Sequence, residues 1–280
     1  MASCQTKPSV KTEVISILDW PTETVSVDYV SSEGRDCKPE FPDKVLFFVP
    51  GNPGCIGWYI PSLVELVTRL GCGYAARGVS YAGHGINEEI TDVEAWMNSR
   101  ERDVSIPWTV NGQIQHKIAF IDMVCKELEE IKIRKQGKAR SQPPQFILLS
   151  HSIGSHMVQR LCILRPDILA RTVFVVHLMP FIRMKSYRFK QELLNAIASK
   201  PETWIGVTRR ILQILKVMPY SWVDLVMKSI IDDKVGRDLA VGLVRQPCFA
   251  QNFLELGTEE VRDVPEEIDV SVVSTTWLPS

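Results

Sequence analysis

The side chain best placed for chemistry in this chain is Ser152, within the pentapeptide Ser150-His151-Ser152-Ile153-Gly154. The apolar run from Gln145 to Ser150 predicts a short buried strand, and Ile153 to Ile163 predicts a helix. A serine at so tight a strand-to-helix turn stands clear of the sheet, where its hydroxyl can attack a substrate carbonyl. Such a turn needs small residues around the serine, and Gly154 supplies one. The pattern therefore predicts a nucleophilic serine at position 152.

A second segment, Pro50-Gly51-Asn52-Pro53-Gly54, follows the apolar run Lys44 to Val49. A loop in this place supplies one backbone N–H of an oxyanion hole, and the residue after the nucleophile supplies the other. We expect these donors to be the amides of Asn52 and Ile153, because Pro53 has no N–H. The alternative is a Gly/Pro turn that joins a strand to a helix. The serine turn downstream favours the oxyanion hole.

The sequence does not assign a base to Ser152. His84, in Gly83-His84-Gly85, precedes the serine, and a triad in the order nucleophile, acid, histidine places its histidine last. We interpret His84 as a turn histidine held by hydrogen bonds. His156 lies one helical turn past the serine, and His177 lies in an apolar run typical of a core histidine. The acid is equally open among several aspartates, namely Asp232, Asp233, Asp238, Asp263 and Asp269.

Composition narrows the function classes. The formal net charge of −1 gives no electrostatic footprint for nucleic acid. The seven cysteines are scattered and odd in number, which favours a reducing compartment, and no CxxC pair predicts a metal site. The Gly71-Cys72-Gly73 segment follows a predicted helix instead of a strand, so it does not predict a dinucleotide site. No cofactor is expected. The N-terminus lacks an apolar signal core, so we expect a cytosolic location or a surface facing the cytosol.

Strand and helix patterns alternate along the chain, which predicts one α/β domain over residues 1–280 with a mostly parallel sheet and helices on both faces. The predicted strands are Glu13–Leu18, Thr24–Val30, Lys44–Val49, Tyr74–Ser80, Gln145–Ser150 and Thr172–Leu178, the last of these buried. The predicted helices are Trp58–Leu70, Asn111–Arg134 and Ile153–Ile163. The first two strands form a hairpin with Trp20-Pro21 between them.

A helical hairpin over residues 186–235 is predicted as a cap inserted within the domain. Its helices, Trp204–Met218 and Trp222–Ile231, place apolar residues on one face, with basic residues opposite them on the first helix. Such a hairpin fits a lipid interface. The candidate interface residues are Trp204, Ile211, Leu215 and Trp222. In the alternative interpretation, the apolar face covers the sheet.

Four motifs, in order and at matching spacing, resemble the lipid droplet-associated serine hydrolases: Val49-Pro-Gly-Asn-Pro-Gly54, Ser80-Tyr-Ala-Gly-His-Gly85, Asn111-Gly-Gln-Ile-Gln-His-Lys117 and Ser150-His-Ser-Ile-Gly-Ser155. The resemblance implies an α/β-hydrolase fold with Ser152 as nucleophile. It implies lipid esters as substrates, of the acylglycerol or sterol ester type. It also implies partnership with the surface of lipid droplets or the endoplasmic reticulum, through a targeting region like that from Thr203 to Ile231.

The resemblance weakens at the C-terminus. The family continues past a segment like Val264-Pro-Glu-Glu-Ile-Asp269 into a strand with an acid and a loop with a histidine, whereas this chain reads Val270 to Ser280 without a histidine. We therefore expect the last strands, the catalytic acid and the histidine to be missing, and the chain to be impaired. An unpaired sheet edge would then favour aggregation. The alternative function is a non-catalytic lipid-droplet-binding protein that retains only the targeting hairpin.

Overall fold

A computed structural model of the chain describes residues 8–29, 42–85, 109–136, 143–182, 201–246 and 249–264. The strands in these ranges are β1 (Ser9–Ile17), β2 (Trp20–Asp28), β3 (Lys44–Val49), β4 (Tyr74–Val79), β5 (Gln145–His151) and β6 (Thr172–Leu178). The helices are α1 (Ile60–Leu70), α2 (Val110–Gln136), α3 (Gly154–Leu164), α4 (Pro166–Ala170), α5 (Pro201–Val217), α6 (Tyr220–Lys228), α7 (Lys234–Arg245) and α8 (Phe249–Asp263). A 3₁₀ turn, Ile56–Tyr59, precedes α1.

The six strands form a single sheet in the order β1-β2-β4-β3-β5-β6. Strands β3, β4, β5 and β6 run parallel, and the β1-β2 hairpin joins them antiparallel to β4. The register pairs Val49 at the end of β3 with Ser150 near the end of β5. Because parallel strands end at the same edge, the loops after β3, β4 and β5 meet there. The mostly parallel sheet that the sequence predicts is confirmed.

The N-terminal hairpin turns two residues earlier than predicted. Its turn is Leu18-Asp19, both with positive φ, which is the type I′ geometry that matches the twist of paired strands. Trp20 and Pro21 belong to β2 instead of the turn. Pro21 is tolerated there because the pairing of β2 with β4 begins only at Thr24, so its missing N–H removes no bond on that side.

Two apolar clusters occupy the two faces of the sheet, as the helices on both faces require. One packs α2 and α3 against β3 and β5 through residues such as Phe47, Phe120 and Leu161. The other packs α1 against β2, β3 and β4 through Leu63 and Val67. Both clusters bury the strand residues that precede the loops at the carboxyl edge, which holds those loops on a rigid base.

The prediction that β6 is buried is wrong. Phe174 is 64% exposed, and Val173, Val176 and Leu178 are also exposed. The physical reason is position, because in the described part of the chain β6 pairs only with β5 and forms the edge of the sheet. An apolar run of this length does not by itself distinguish a central strand from an edge strand.

The predicted hairpin helices correspond to α5 and α6, which begin at Pro201 and Tyr220. Residues 186–200 of the predicted cap lie outside the described residues, as do residues 265–280. Helix α5 packs mainly against α8 and α7, and α6 packs against α7. Among the described helices, none has the length and apolar character to cross a membrane. The interpretation of this hairpin as an inserted cap stays a prediction.

Candidate functional site

Ser152 lies in the turn between β5 and α3 with its backbone in the left-handed region, at φ 51°. That conformation is uncommon for a residue with a side chain, and it persists only where the surroundings enforce it. The enforcing bonds are present on both sides of the residue. Its N–H donates to Leu178 O at 3.0 Å, and its carbonyl accepts from the N–H of Ser155 and of Phe181, each at 3.0 Å.

The turn is too crowded for side chains at two glycines. A Cβ at Gly154 would lie 2.5 Å from the carbonyl oxygens of both Val49 and Pro50. A Cβ at Gly51 would lie 2.7 Å from Ser152 Cβ and 2.8 Å from His151 Nδ1. The requirement for small residues around the serine, anticipated for Gly154, therefore extends to Gly51 in the facing loop. Contacts this close fix the loop after β3 against the serine turn.

We call residues 50–54 the oxyanion loop. Its position follows from the register that pairs Val49 with Ser150. In this loop the Asn52–Pro53 peptide is cis, and the Gly54 N–H donates to Gly51 O at 2.7 Å. Within the described part of the chain, neither the Asn52 N–H nor the Ile153 N–H donates a hydrogen bond. Two amides that remain available beside a serine are what an oxyanion hole requires.

Side chains of the loop after β4 contact two carbonyl oxygens of the oxyanion loop. The hydroxyl of Tyr81 donates to Pro50 O at 2.6 Å, and the Tyr81 ring fills the space that a side chain at Gly54 would need. Burial raises the pKa of Tyr81 well above its ordinary value, so the hydroxyl remains a donor. His84 faces Pro53 O through Nδ1 at 2.6 Å. The motif from Ser80 to Gly85 thus stabilises the motif from Val49 to Gly54.

The third motif, in α2, supports the loop after β4 in turn. The Gln113 side chain accepts from Ala82 N at 3.1 Å and donates to Ala82 O at 3.2 Å. Lys117 is fully buried, donates to Ser80 O at 3.0 Å, and lies 4.6 Å from the centre of the Tyr81 ring. Burial holds the pKa of this lysine well below its ordinary value. The four motifs that the sequence singled out are therefore packed around one site.

All five histidines of the sequence lie in the described residues, and none of them hydrogen-bonds the Ser152 hydroxyl. His177 accepts from or donates to Ser150 Oγ at 2.6 Å, and His151 meets Tyr59 OH at 3.0 Å. His116 is buried between Thr22 and Lys117, and burial lowers its pKa to about 2. His156 is buried on α3, where burial lowers its pKa.

His84 is held as predicted through one ring nitrogen, but its Nε2 is buried without a partner. Burial lowers its pKa to about 4, so the ring is neutral at physiological pH. His177 is only partly buried, at the edge strand β6, which corrects the interpretation of it as a core histidine. The catalytic acid stays unassigned. The first four candidates lie on or beside α6, α7 and α8, and Asp269 lies outside the described residues.

Sequence reasoning missed the polar residues that α8 brings to the oxyanion loop and to the loop after β4. Asn252 is fully buried and donates to Gly83 O. Glu260 is 9% exposed, and burial raises the pKa of its carboxyl to about 8. A signal was present in the sequence: Glu260 is four residues from Leu256 and four from Val264, both buried, so it interrupts the apolar face of an amphipathic helix.

The four lipid-interface candidates lie on α5 and α6. Trp204 is 39% exposed, Ile211 51% and Trp222 63%, while Leu215 is half-buried. Their apolar neighbours Val207, Ile214, Val217, Leu225, Val226 and Ile230 are also exposed. The interpretation of this face as a lipid interface stays a prediction. Among the described residues, no cluster of three histidine, cysteine or acidic side chains could hold a metal ion.

Solved structures define the class of fold. A haloalkane dehalogenase, DatA from Agrobacterium tumefaciens C58, superposes with a TM-score of 0.54 at 14% identity, covering 96% of this chain and 73% of that one. The epoxide hydrolase CorEH superposes with a TM-score of 0.54 at 8% identity, covering 94% of this chain and 77% of that one. With the strand order and the serine turn above, these likenesses define an α/β-hydrolase fold.

A family model described as lipid-droplet associated hydrolase matches residues 42–277, and the chain belongs to that family. The lipid droplet-associated hydrolase of Mus musculus is 29% identical over 118 residues, covering 41% of this chain and 32% of that protein. The one from Pongo abelii is 26% identical over 236 residues, covering 82% of this chain and 66% of that protein. The chain thus spans about a third of the mouse relative and about two thirds of the Pongo abelii relative.

Proposed function

We propose that this chain is a serine hydrolase acting on lipid esters, of the acylglycerol or sterol ester type, at the surface of lipid droplets. Ser152 is the nucleophile, and the amides of Asn52 and Ile153 form the oxyanion hole. The observation that carries the proposal is the left-handed Ser152, at φ 51°, beside two amides without a partner in the described residues. Enforced strain of this kind is concentrated at functional sites.

The chemistry divides ester hydrolysis into two steps. First, Ser152 Oγ attacks the carbonyl carbon, and the electron pair of the C=O bond moves to its oxygen, which accepts hydrogen bonds from the Asn52 and Ile153 amides. Re-formation of the carbonyl breaks the bond to the alcohol, which leaves with a proton. Water then attacks the acyl-serine, releases the fatty acid and restores the Ser152 hydroxyl.

Both steps move a proton, and the five histidines offer no base that is hydrogen-bonded to Ser152. A serine hydroxyl without an adjacent base is a poor nucleophile. We therefore propose that turnover by this chain is impaired. An oxyanion hole and substrate binding alone retain roughly a thousand- to ten-thousand-fold rate enhancement over water when a triad is broken.

The surface of α5 and α6 supports the location at lipid droplets. Apolar side chains that remain exposed on two adjacent helices lose contact with water when they enter a lipid interface, at about 25 cal/mol per Å² of apolar surface. Trp204, Ile211 and Trp222 supply such surface. The family name supports association with droplets. We also propose the endoplasmic reticulum surface and the cytosol as locations of this chain.

The test is ester turnover by the purified chain beside Ser152→Ala, with a soluble short-chain ester and an emulsified triacylglycerol. The proposal expects slow turnover that falls in Ser152→Ala, because the acyl-serine intermediate cannot form without the hydroxyl. Equal rates for the two proteins would overturn the assignment of Ser152.

A non-catalytic lipid-droplet-binding protein is the second candidate function. The specific observation in its favour is that no histidine of the described residues hydrogen-bonds Ser152. Apolar side chains of α5 and α6, in contrast, are exposed. Ser152-dependent turnover by the full chain distinguishes the two, and removal of residues 203–231 tests the droplet association that both functions require. If Ser152-dependent turnover of the soluble ester is absent in the full chain, and droplet association is lost with the hairpin, the second function is the correct one.

A further inference from the structure

We propose that Tyr59 is a positioning residue for the oxyanion hole: its hydroxyl donates a hydrogen bond to His151 Nδ1 and so holds the His151 ring against Gly51 of the oxyanion loop. The inference rests on the proposed function in its use of Ser152 as nucleophile and of the Asn52 amide as oxyanion donor. Both members of the pair flank that site, since His151 precedes Ser152 and Tyr59 ends the 3₁₀ turn that follows the oxyanion loop.

The Tyr59 ring is anchored on the sheet. It packs on Phe48 of β3, with 4.4 Å between the ring centres and 41° between the ring planes. Phe48 is buried and belongs to the apolar cluster on the α1 face of the sheet. The hydroxyl at the other end of the Tyr59 ring lies 3.0 Å from His151 Nδ1. A tyrosine suits this place because it joins an apolar body to a polar tip.

The His151 ring lies against the oxyanion loop. A Cβ at Gly51 would lie 2.8 Å from His151 Nδ1 and 2.7 Å from Ser152 Cβ, so Gly51 packs against the ring and the serine together. The amide nitrogen of Asn52 is bonded to the carbonyl carbon of Gly51 within one planar peptide unit. Whatever fixes Gly51 therefore also fixes the Asn52 N–H relative to Ser152.

The hydrogen bond to Tyr59 keeps the ring in this place. Burial raises the pKa of Tyr59, so its hydroxyl keeps the proton that it donates. Burial lowers the pKa of His151, so the ring is neutral at physiological pH and its Nδ1 can accept. His151 is only half-buried, so without this bond its ring is free to turn toward solvent and to release Gly51.

The structural test is NMR on the full chain, which needs no turnover. Tyr59→Phe keeps the ring that packs on Phe48 and removes only the hydroxyl. The ring nitrogens of His151 and the backbone amides of Gly51 and Asn52 should therefore all shift. If the ring nitrogens shift while both amides stay in place, the positioning role is wrong. If none of these signals shifts, the hydrogen bond itself is absent.

Tyr74→Phe is the matched control. The Tyr74 hydroxyl accepts from Lys44 Nζ at 3.3 Å, at the opposite edge of the sheet, where β3 and β4 begin. Loss of this hydroxyl should leave the signals of His151, Gly51 and Asn52 unchanged. These outcomes hold whether or not the chain is an active hydrolase, so they separate this inference from the proposed function.

The functional readout is Ser152-dependent labelling by a fluorophosphonate, measured over a range of reagent concentrations. Tyr59→Phe should lower the maximal rate about three- to tenfold, the range expected for the loss of one hydrogen bond. The concentration that gives half of this rate should change less than about twofold, because oxyanion donors act on the transition state more than on binding. Tyr74→Phe should label at the rate of the unaltered chain.

Variants of His151 test whether the two side chains act as a pair. His151→Asn places an amide oxygen near the position of Nδ1 and should label within about threefold of the unaltered chain, since the acceptor is restored. His151→Leu has no acceptor and should label at least as slowly as Tyr59→Phe. Adding Tyr59→Phe to His151→Leu should cause no further loss, because the interaction is already broken.

Three results would count against these roles. Labelling of Tyr59→Phe at the unaltered rate would overturn the positioning role and leave the proposed function intact. Losses that add in the double variant would show that Tyr59 and His151 act separately. If the unaltered chain shows no Ser152-dependent labelling, the proposed function fails, and the NMR shifts alone decide whether Tyr59 positions the oxyanion loop.

Discussion

The left-handed backbone conformation of Ser152 depends on the absence of side chains at two glycines that pack around it. A Cβ at Gly154 would lie 2.5 Å from main-chain oxygens at the end of β3, and a Cβ at Gly51 would lie 2.7 Å from Ser152 Cβ. Neighbouring backbone atoms cannot move aside as the end of a flexible side chain can. The conformation that exposes the hydroxyl is therefore held by packing as well as by the three hydrogen bonds to Ser152.

This packing predicts that Gly154→Ala destabilises the fold by about 1–3 kcal/mol, the usual cost of forcing an extra methyl into a filled space. The matched control is Gly206→Ala on α5, where a Cβ would meet nothing within 4 Å. In a helix that change stabilises by about 0.5–1 kcal/mol. Urea unfolding of the two variants measures both effects. A Gly154→Ala protein as stable as the unaltered chain would contradict the crowding.

Glu260 gives the stability of the chain a pH dependence of known sign. Its pKa is raised from an ordinary 4.5 to about 8, so between these values the folded chain holds a proton that the unfolded chain has lost. The contribution is fully present below pH 4.5 and is lost as the pH rises through 8. The contribution of Glu260 to the free energy of unfolding should fall in this window by about 1 kcal/mol per pH unit. It is measured as a difference from Glu260→Gln, because the lowered pKa values of His84 and His116 change the total free energy in the opposite direction below about pH 6.5.

Glu260→Gln should remove that fall, because the amide does not titrate. The difference in unfolding free energy between Glu260→Gln and the unaltered chain should therefore grow from pH 5 to pH 8. Urea unfolding at several pH values measures it, with Glu259→Gln as the control. Parallel profiles for the unaltered chain and Glu260→Gln would show that Glu260 does not hold a proton in the folded chain.

Some of the site could be predicted from residue types and spacing, and some could not. The serine turn and the oxyanion loop are local, since short apolar runs that end in Ser, Gly and Pro define them. The hydrogen bond from Asn52 Nδ2 to Phe253 O joins residues about two hundred positions apart, and only the packing of α8 against the loop creates it. The histidine partners are likewise long-range, as with Thr22 and His116.

At the scale of elements, the hairpin of α5 and α6 has an apolar face in its sequence, and apolar side chains of that face are exposed in the structure. The amphipathic spacing predicted an apolar face, and that face is exposed at Ile211 and Trp222 instead of packed on the sheet. The sequence alone could not decide between these two, because a helix that covers a sheet and a helix that enters a lipid interface have the same period.

Replacing Ile211 or Trp222 with Glu should reduce droplet association at least about tenfold, because each change removes apolar surface and adds a charge that must be desolvated in the interface. Gln213→Glu adds the same charge at an exposed polar position of α5 and is the control. Flotation of the purified chain with artificial droplets measures the bound fraction. If Gln213→Glu weakens binding as much as the other two, net charge explains the effect and the apolar face does not.

Strand β6 is a second element whose environment could not be predicted from its sequence pattern. Its apolar run predicted burial, but burial depends on what lies beyond the strand in the sheet, which the run itself does not encode. The strand contributes its backbone to the site through Leu178 O, which holds the Ser152 N–H. Four of its seven side chains are exposed, and Phe174 is the most exposed within the strand.

At the scale of the whole molecule, strand β6 predicts self-association, because it is an edge of the sheet that the described residues form. An exposed apolar edge strand pairs readily with another chain. Phe174→Lys should lower the fraction of dimers and larger species, because a lysine on an edge strand opposes such pairing. Sedimentation velocity measures this fraction. Ile133→Lys, at a 70% exposed position of α2, is the control and should leave association unchanged. Equal association in both variants would exclude β6 as the contact.

The measurement that tests the central claim most directly is labelling of the purified chain by a fluorophosphonate, with Ser152→Ala beside it. The account predicts slow labelling that is absent from Ser152→Ala. It also predicts a rate that rises with pH without an inflection near about 6.5, because no histidine serves as the base of Ser152. Labelling of a folded sample that is no greater than in Ser152→Ala would contradict the account and would favour a lipid-droplet-binding protein without catalysis.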